Sequence, residues 1–256
     1  MAIARRVTLL SIFALVGTVF ATSGVAESDN EAMDLLKRSM DLYSTLPAYA
    51  DSGTAVREGP GLIDRWKFKT YFSRPRNFRF DFQGVTSQSA GLTMDSSSQH
   101  IVLWMIEGEL QSFNQQMRSH NTVGRTGNQP GELLNASAYT AGTSVLIPSL
   151  LFAKSDLPGS IRQIREAAYA GLESVNGHRC HKIVGTAAQF YPSGKMTNVR
   201  EVTVWLDEQS RLVRKVFEDT PKGYPAGSYL RLTIQLDPQA NPRLEPANFQ
   251  FTVPKE

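Results

Sequence analysis

The chain has 256 residues, of which 41% are hydrophobic and 20% charged. That balance excludes a disordered chain and suits one large domain or two modest ones. Lys and Arg number 27 against 24 Asp and Glu, a net charge of +3, and the single cysteine, Cys180, excludes a disulfide framework or a Cys-rich zinc module. The mean hydropathy of −0.26 excludes a polytopic membrane protein.

Arg5 and Arg6 precede an apolar run from Val7 to Phe20, and Gly24-Val25-Ala26 offers small residues for cleavage. This is the pattern of a secretory signal peptide over residues 1–26, with a mature start at Glu27. The apolar run is short for a membrane span. No cysteine follows it, so no lipid anchor is expected there, and the expected product is periplasmic. Without Arg5 and Arg6 the charge falls from +3 to +1. No concentrated basic field remains for a nucleic-acid partner.

A helix is expected next. Ser28 and Glu31 have capping-box spacing, and Ala32, Leu35, Leu36, Ser39, Met40 and Tyr43 recur along one helical face before Pro47 ends it. Period two then takes over. Trp66, Phe68, Thr70 and Phe72 alternate against Arg65, Lys67, Lys69 and Tyr71, and Phe78, Phe80 and Phe82 against Asn77, Arg79 and Asp81. Val202, Val204 and Leu206 begin a strand that turns at 207–210 into Arg211–Phe217, and Leu230, Leu232, Ile234 and Leu236 form another. One apolar and one wet face per strand is the antiparallel signature. Asn176-Gly177 predicts a two-residue hairpin turn.

Between the early and late strands, 131–153 is apolar and rich in Ala and Leu, and is interrupted by Pro148. Two short helices are expected, the second starting near Pro148, which suits a first-turn position. A sheet must bury its apolar face. The expected architecture is therefore a single domain over 27–256, a sheet coiled around one apolar face and covered by the helices. A helical lid over aromatic strands makes a ligand cavity one reading. A fully packed core is the other. The candidate lining comprises Trp66, Phe68, Phe78, Phe80, Phe82, Trp104, Leu146 and Leu150.

Other constellations carry less. On a strand, His178 and Cys180 share a face while His181 points away, so three convergent metal ligands are not expected. No acidic or Asn orienter accompanies a Cys-His pair. Arg79 alternates with Phe78 and Phe80, so charge and stacking do not converge for RNA. No Gly-rich phosphate loop, serine elbow or HExxH motif occurs. Neither a metal, a cofactor nor catalysis is expected.

Ala55–Gly59 with Ser73-Arg74-Pro75-Arg76-Asn77-Phe78-Arg79-Phe80, and Phe249-Gln250-Phe251-Thr252-Val253-Pro254-Lys255, resemble the early strands and C-terminal signature of LolA, the periplasmic lipoprotein carrier, and its superfamily. Val253-Pro254 replaces that family's Pro-Pro pair, and Asp95-Ser96-Ser97 replaces its Asp-Gly. The resemblance implies an α+β fold, an unclosed, strongly curved antiparallel half-barrel with a helical lid. It implies a cavity for acyl chains, with Phe78 at its opening and Arg74 hydrogen-bonding the closed lid. The function it implies is a non-catalytic carrier of a lipid or of lipoprotein acyl chains. Its partners would be an inner-membrane transport complex and an outer-membrane acceptor. A sensory module of envelope stress on the same fold, and a periplasmic enzyme, are the alternatives.

Overall fold

Period-two alternation becomes one antiparallel sheet of twelve strands. The computed structural model describes residues 24–254 apart from 76, 107, 124–130, 153–156, 158, 191–195, 224 and 226. Most of the expected signal peptide, 1–23, lies outside the described residues.

Helix α1 spans Gly24–Thr45. Ser28 lies inside it, so the expected capping box does not start the helix. Ala26 and Glu27 are good helix formers and carry the turn back to Gly24. Ala32, Leu35, Leu36, Ser39 and Tyr43 are buried. Two of them also fix the helix through polar atoms: Ser39 Oγ donates to Arg211 O (2.8 Å), and the Tyr43 hydroxyl accepts from Val213 N (3.0 Å).

The first half of the sheet holds β1 (Ala48–Gly59), β2 (Leu62–Ser73), β3 (Asn77–Ser89), β4 (Leu92–Asp95), β5 (His100–Ile106), β6 (Glu109–Asn114) and β7 (Ser119–Val123). The second half holds β8 (Ile164–Val175), β9 (His178–Phe190), β10 (Met196–Asp207), β11 (Val213–Glu218) and β12 (Arg231–Ala240). The spatial order is β7-β6-β5-β3-β2-β1-β12-β11-β10-β9-β8, with β4 added on β3. Two meanders are thus sewn together along β1 and β12, where Tyr49 pairs with Ala240 and Glu58 with Arg231. Asn176 and Gly177 have φ of 50° and 82°, the left-handed pair that a primed hairpin turn requires. Register shifts in β2–β3 and β8–β9 mark bulges, which add twist.

The sheet is open, with β7 and β8 as its edges. The chain between those edges holds three short helices rather than two: α2 (Gly131–Ser137), α3 (Thr143–Leu146) and α4 (Pro148–Leu151). The turn at 138–142 divides α2 from α3, and Pro148 takes the first-turn position of α4. Together with α1, these helices cover one face of the sheet, here the inner face.

The main core lies between that face and the helices, and it draws on every long strand. Two smaller apolar clusters sit on the outer face. Val102, Trp104 and Phe113 pack under Phe251 and Val253, while Val175, Cys180 and Trp205 pack with Phe217. Among the described residues no helix is long and apolar enough to cross a membrane.

Candidate functional site

Antiparallel pairing places Phe72 opposite Phe78 and Phe68 opposite Phe82 on β2 and β3. The rings form a continuous layer, with centroids 5.8 Å apart for Trp66–Phe82, 6.1 Å for Phe68–Phe80 and 6.4 Å for Phe80–Phe82. Phe152, just after α4, closes on the end of this layer, 5.4 Å from Phe72 and 5.3 Å from Phe78. None of Trp66, Phe68, Phe78, Phe80, Phe82, Leu146 and Leu150 is more than 5% exposed, and all seven share one core cluster. This layer is packed rather than open.

Trp104 departs from the expected lining. Alternation along β5 turns Ile101 and Leu103 inward and Val102 and Trp104 outward, so Trp104 belongs to the outer cluster under the C-terminal segment. Its ring lies 5.0 Å from Phe251 and stacks on His120 at 5.6 Å.

Arg74 lies at the end of β2, beside the last turns of two helices. Its Nε donates to Leu46 O (2.9 Å), and Nη2 donates to Ser44 O (2.5 Å) and Leu151 O (3.1 Å). The last carbonyls of a helix have no partner within it, so a guanidinium is a fitting cap. One side chain thereby ties the end of α1 to the end of α4. Its planar group also lies over the Phe72 ring, 5.1 Å from the centroid. A second tie, absent from the sequence-based expectations, runs from Arg162 Nη1 to Ser149 O (3.0 Å). Arg162 follows the stretch read as helical and carries no local motif.

The open space under the helices lies beside the aromatic layer rather than within it. A groove of about 510 Å³ runs between α2–α3 and the ends of β9 to β12. Leu134, Ala141 and Val145 form its lid side, and Ala187 and Leu232 its sheet side. Its rim is charged, with Arg200 on Glu218 (2.5 Å) and Arg231 on Asp219 (3.0 Å). The Thr220 amide and the Arg231 guanidinium hold Asp219 below its ordinary carboxylate pKa, so Asp219 is ionised at neutral pH. An apolar floor of this volume inside a charged rim suits one amphiphilic ligand with its polar end outward.

The histidine–cysteine run does not converge. Cys180 is fully buried in the outer cluster, and burial pushes its thiol pKa up, the reverse of an activated nucleophile. His178 approaches Asp207 (3.4 Å), while His181 faces inward to the Tyr169 hydroxyl (3.2 Å) and accepts from Arg211. Burial beside the Arg211 cation keeps the His181 pKa low. No group of three His, Cys, Asp or Glu is placed to hold a metal among the described residues.

An open twelve-stranded antiparallel sheet with short helices carried between its edge strands is a fold that the chain shares with a solved structure. The chain is similar to LprF from Mycobacterium bovis, with a TM-score of 0.50 over 86% of this chain and 98% of that one, at 13% identity. Weaker likenesses are the lipoprotein LppX of Mycobacterium tuberculosis (TM-score 0.41, 14% identity, 81% and 95% covered) and the MucA/MucB complex of Pseudomonas aeruginosa (0.44, 14%, 87% and 61%). No family model and no curated protein sequence matches the chain. Identities this low speak to the fold alone.

Proposed function

We propose that the chain is an exported, periplasmic carrier. It holds a lipophilic ligand, the acyl chains of a lipid or lipoprotein, between the curved sheet and its lid. The observation that carries this reading is the Arg74 tie. The lid is fastened at α4 by two guanidinium groups, Arg74 on Leu151 O and Arg162 on Ser149 O, bound to backbone carbonyls that other donors can serve. Directly beneath α4 lie Phe72 and Phe78, covered by Phe152. Lifting α4 exposes the aromatic layer, and the groove beside α3 already offers an apolar entrance. Burying an acyl chain gains about 0.8 kcal/mol per methylene, enough to offset the lost contacts of one short helix. Trp66, Phe68, Phe78, Phe80 and Phe82 then contact ligand in the open state, and Leu146 and Leu150 move with the lid. Acyl-chain transfer through the envelope needs a donor complex at the inner membrane and an acceptor at the outer one. No chemical step is required of the chain.

The test is titration of the native protein with an apolar fluorescent dye, followed by displacement with palmitate, and native mass spectrometry of protein taken from its own periplasm. Saturable dye binding reversed by palmitate, with added mass from bound lipid, is the expected result. A native state that binds no dye and carries no adduct overturns the carrier reading.

A further inference from the structure

The outer face of the sheet, opposite the lid, carries a larger groove of about 730 Å³. Strand register assembles its floor from two polar rows. One runs Asp237–Ser52–Lys69–Asp81 across β12, β1, β2 and β3, and the other runs Gln235–Thr54–Lys67–Gln83–His100 as far as β5. The small side chains of Ser52 and Thr54 leave the centre low. The Asn176 turn also lines the groove, and at the opposite end Arg79 and His100 hold the C-terminal segment through Gln250 O and the Phe251 ring.

The charges in this groove are unequally spent. Asp81 is paired with Arg79 (2.9 Å) and Asp237 with Arg214 (3.0 Å). Lys67 and Lys69 are exposed, and neither has an ion-pair partner among the described residues. Two unneutralised ammonium groups therefore share a trough with amides and hydroxyls.

We propose that this groove binds a hydroxyl-rich anion, a phosphorylated or carboxylated sugar. The lysines meet the anion, and Gln83, Gln235 and Thr54 meet the hydroxyls, since amide and hydroxyl groups both donate and accept. An acyl chain finds no apolar floor, because Phe68 and Leu236 at this site are buried in the core. An extended peptide finds no strand edge, because β12, β1, β2 and β3 are each paired on both sides. The site lies on the opposite face from the lid and stands independently of the carrier reading.

The experiment titrates glucose 6-phosphate, glucose and inorganic phosphate into the full chain and follows amide shifts by NMR. The Lys67→Gln/Lys69→Gln double variant runs in parallel. Both lysines are exposed, and an unchanged melting curve verifies its fold. Saturable binding of glucose 6-phosphate is expected, weakened about ten-fold or more in the double variant as charge-assisted hydrogen bonds are lost. Glucose and phosphate alone bind more weakly. A further arm uses vesicles containing phosphatidylinositol 4-phosphate. Binding there that the double variant loses supports a lipid head group as the source, and binding of free glucose 6-phosphate alone supports a soluble one. Absence of saturable binding, equal binding by the double variant, or tighter binding of a polyglutamate peptide overturns the proposal.

Discussion

The Arg74 guanidinium donates to the Leu151 carbonyl across 3.1 Å, joining positions 77 apart in sequence. It also serves Ser44 and Leu46, so Arg74→Leu keeps apolar contact with Phe72 but removes every donor. A loss of about 1.5–3 kcal/mol is expected, the range for hydrogen bonds involving a charged group. Its distribution matters more than its size. Hydrogen exchange should quicken across Thr143–Leu151 and leave β2–β3 protected, and bound dye should dissociate faster. Unchanged lid exchange with and without palmitate would show that Arg74 is not the latch.

How much of this was legible beforehand follows from the range of each interaction. Trp66, Phe68 and Phe72 face Phe78, Phe80 and Phe82 across a short connection, so alternation alone identifies that layer. Trp104 sits in a strand whose run His100–Ile106 is apolar at nearly every position. Both faces of β5 are covered, one by the lid side and one by Phe251, and periodicity gives no sign of which face holds the tryptophan. The groove rim is further from reach. Arg200 and Glu218 come from β10 and β11, and Arg231 joins Asp219 from β12. Only the pairing of those strands brings them together, and no spacing in the chain announces it.

Asp51 predicts a pH dependence. It is buried on β1, accepts a 2.8 Å hydrogen bond from the Tyr49 hydroxyl, and lies near Tyr43 of α1 and Thr70 of β2, with Asp237 repelling it from β12. Desolvation dominates and pushes its pKa up to about 6. Because the folded value exceeds the unfolded one of about 3.9, the folded state favours the protonated form. The resulting stability is full below the unfolded pKa and is lost as pH rises through about 6, a change of about 3 kcal/mol. Asp51→Asn should abolish this fall. Asp207 and Asp219, with lowered pKa values, have the opposite sign, so the difference between wild type and variant in urea unfolding at pH 4 and pH 7 is the quantity to measure. An equal difference at both pH values would refute the assignment.

Gly53 tests the closeness of the inner layer. A β-carbon placed there would come 2.2 Å from Phe68 Cζ and 2.6 Å from Gln235 O. The ring can turn, but the backbone oxygen belongs to the paired strand β12. Gly53→Ala should therefore cost about 1–3 kcal/mol, typical of an overpacked core, although alanine is better suited to a strand. A melting temperature equal to or above wild type would show that Phe68 has room to move.

The C-terminal segment should act as a removable strap. Phe251 lies 5.0 Å from Trp104, 5.5 Å from Phe113 and 6.1 Å from His100, and Arg79 covers it at 5.6 Å. Phe251 and Val253 pair with no strand; side-chain packing and the Arg79 bond to Gln250 O hold them. Such a segment opens at little cost compared with a laddered strand. Phe251→Ala removes the ring from a half-buried position, so a loss of about 1–2 kcal/mol is expected, below the cost for a core phenylalanine. The local effect should be larger than the global one. Trp104 is 1% exposed in the intact protein, and without its cover it faces water. Trp66 and Trp205 pack elsewhere and should not respond. Acrylamide quenching of tryptophan fluorescence should therefore rise by one accessible population, with a red-shifted emission, and Trp104→Phe in the same background should cancel it. Quenching that stays at the wild-type level would mean that the outer face of β5 is sealed by something other than Phe251.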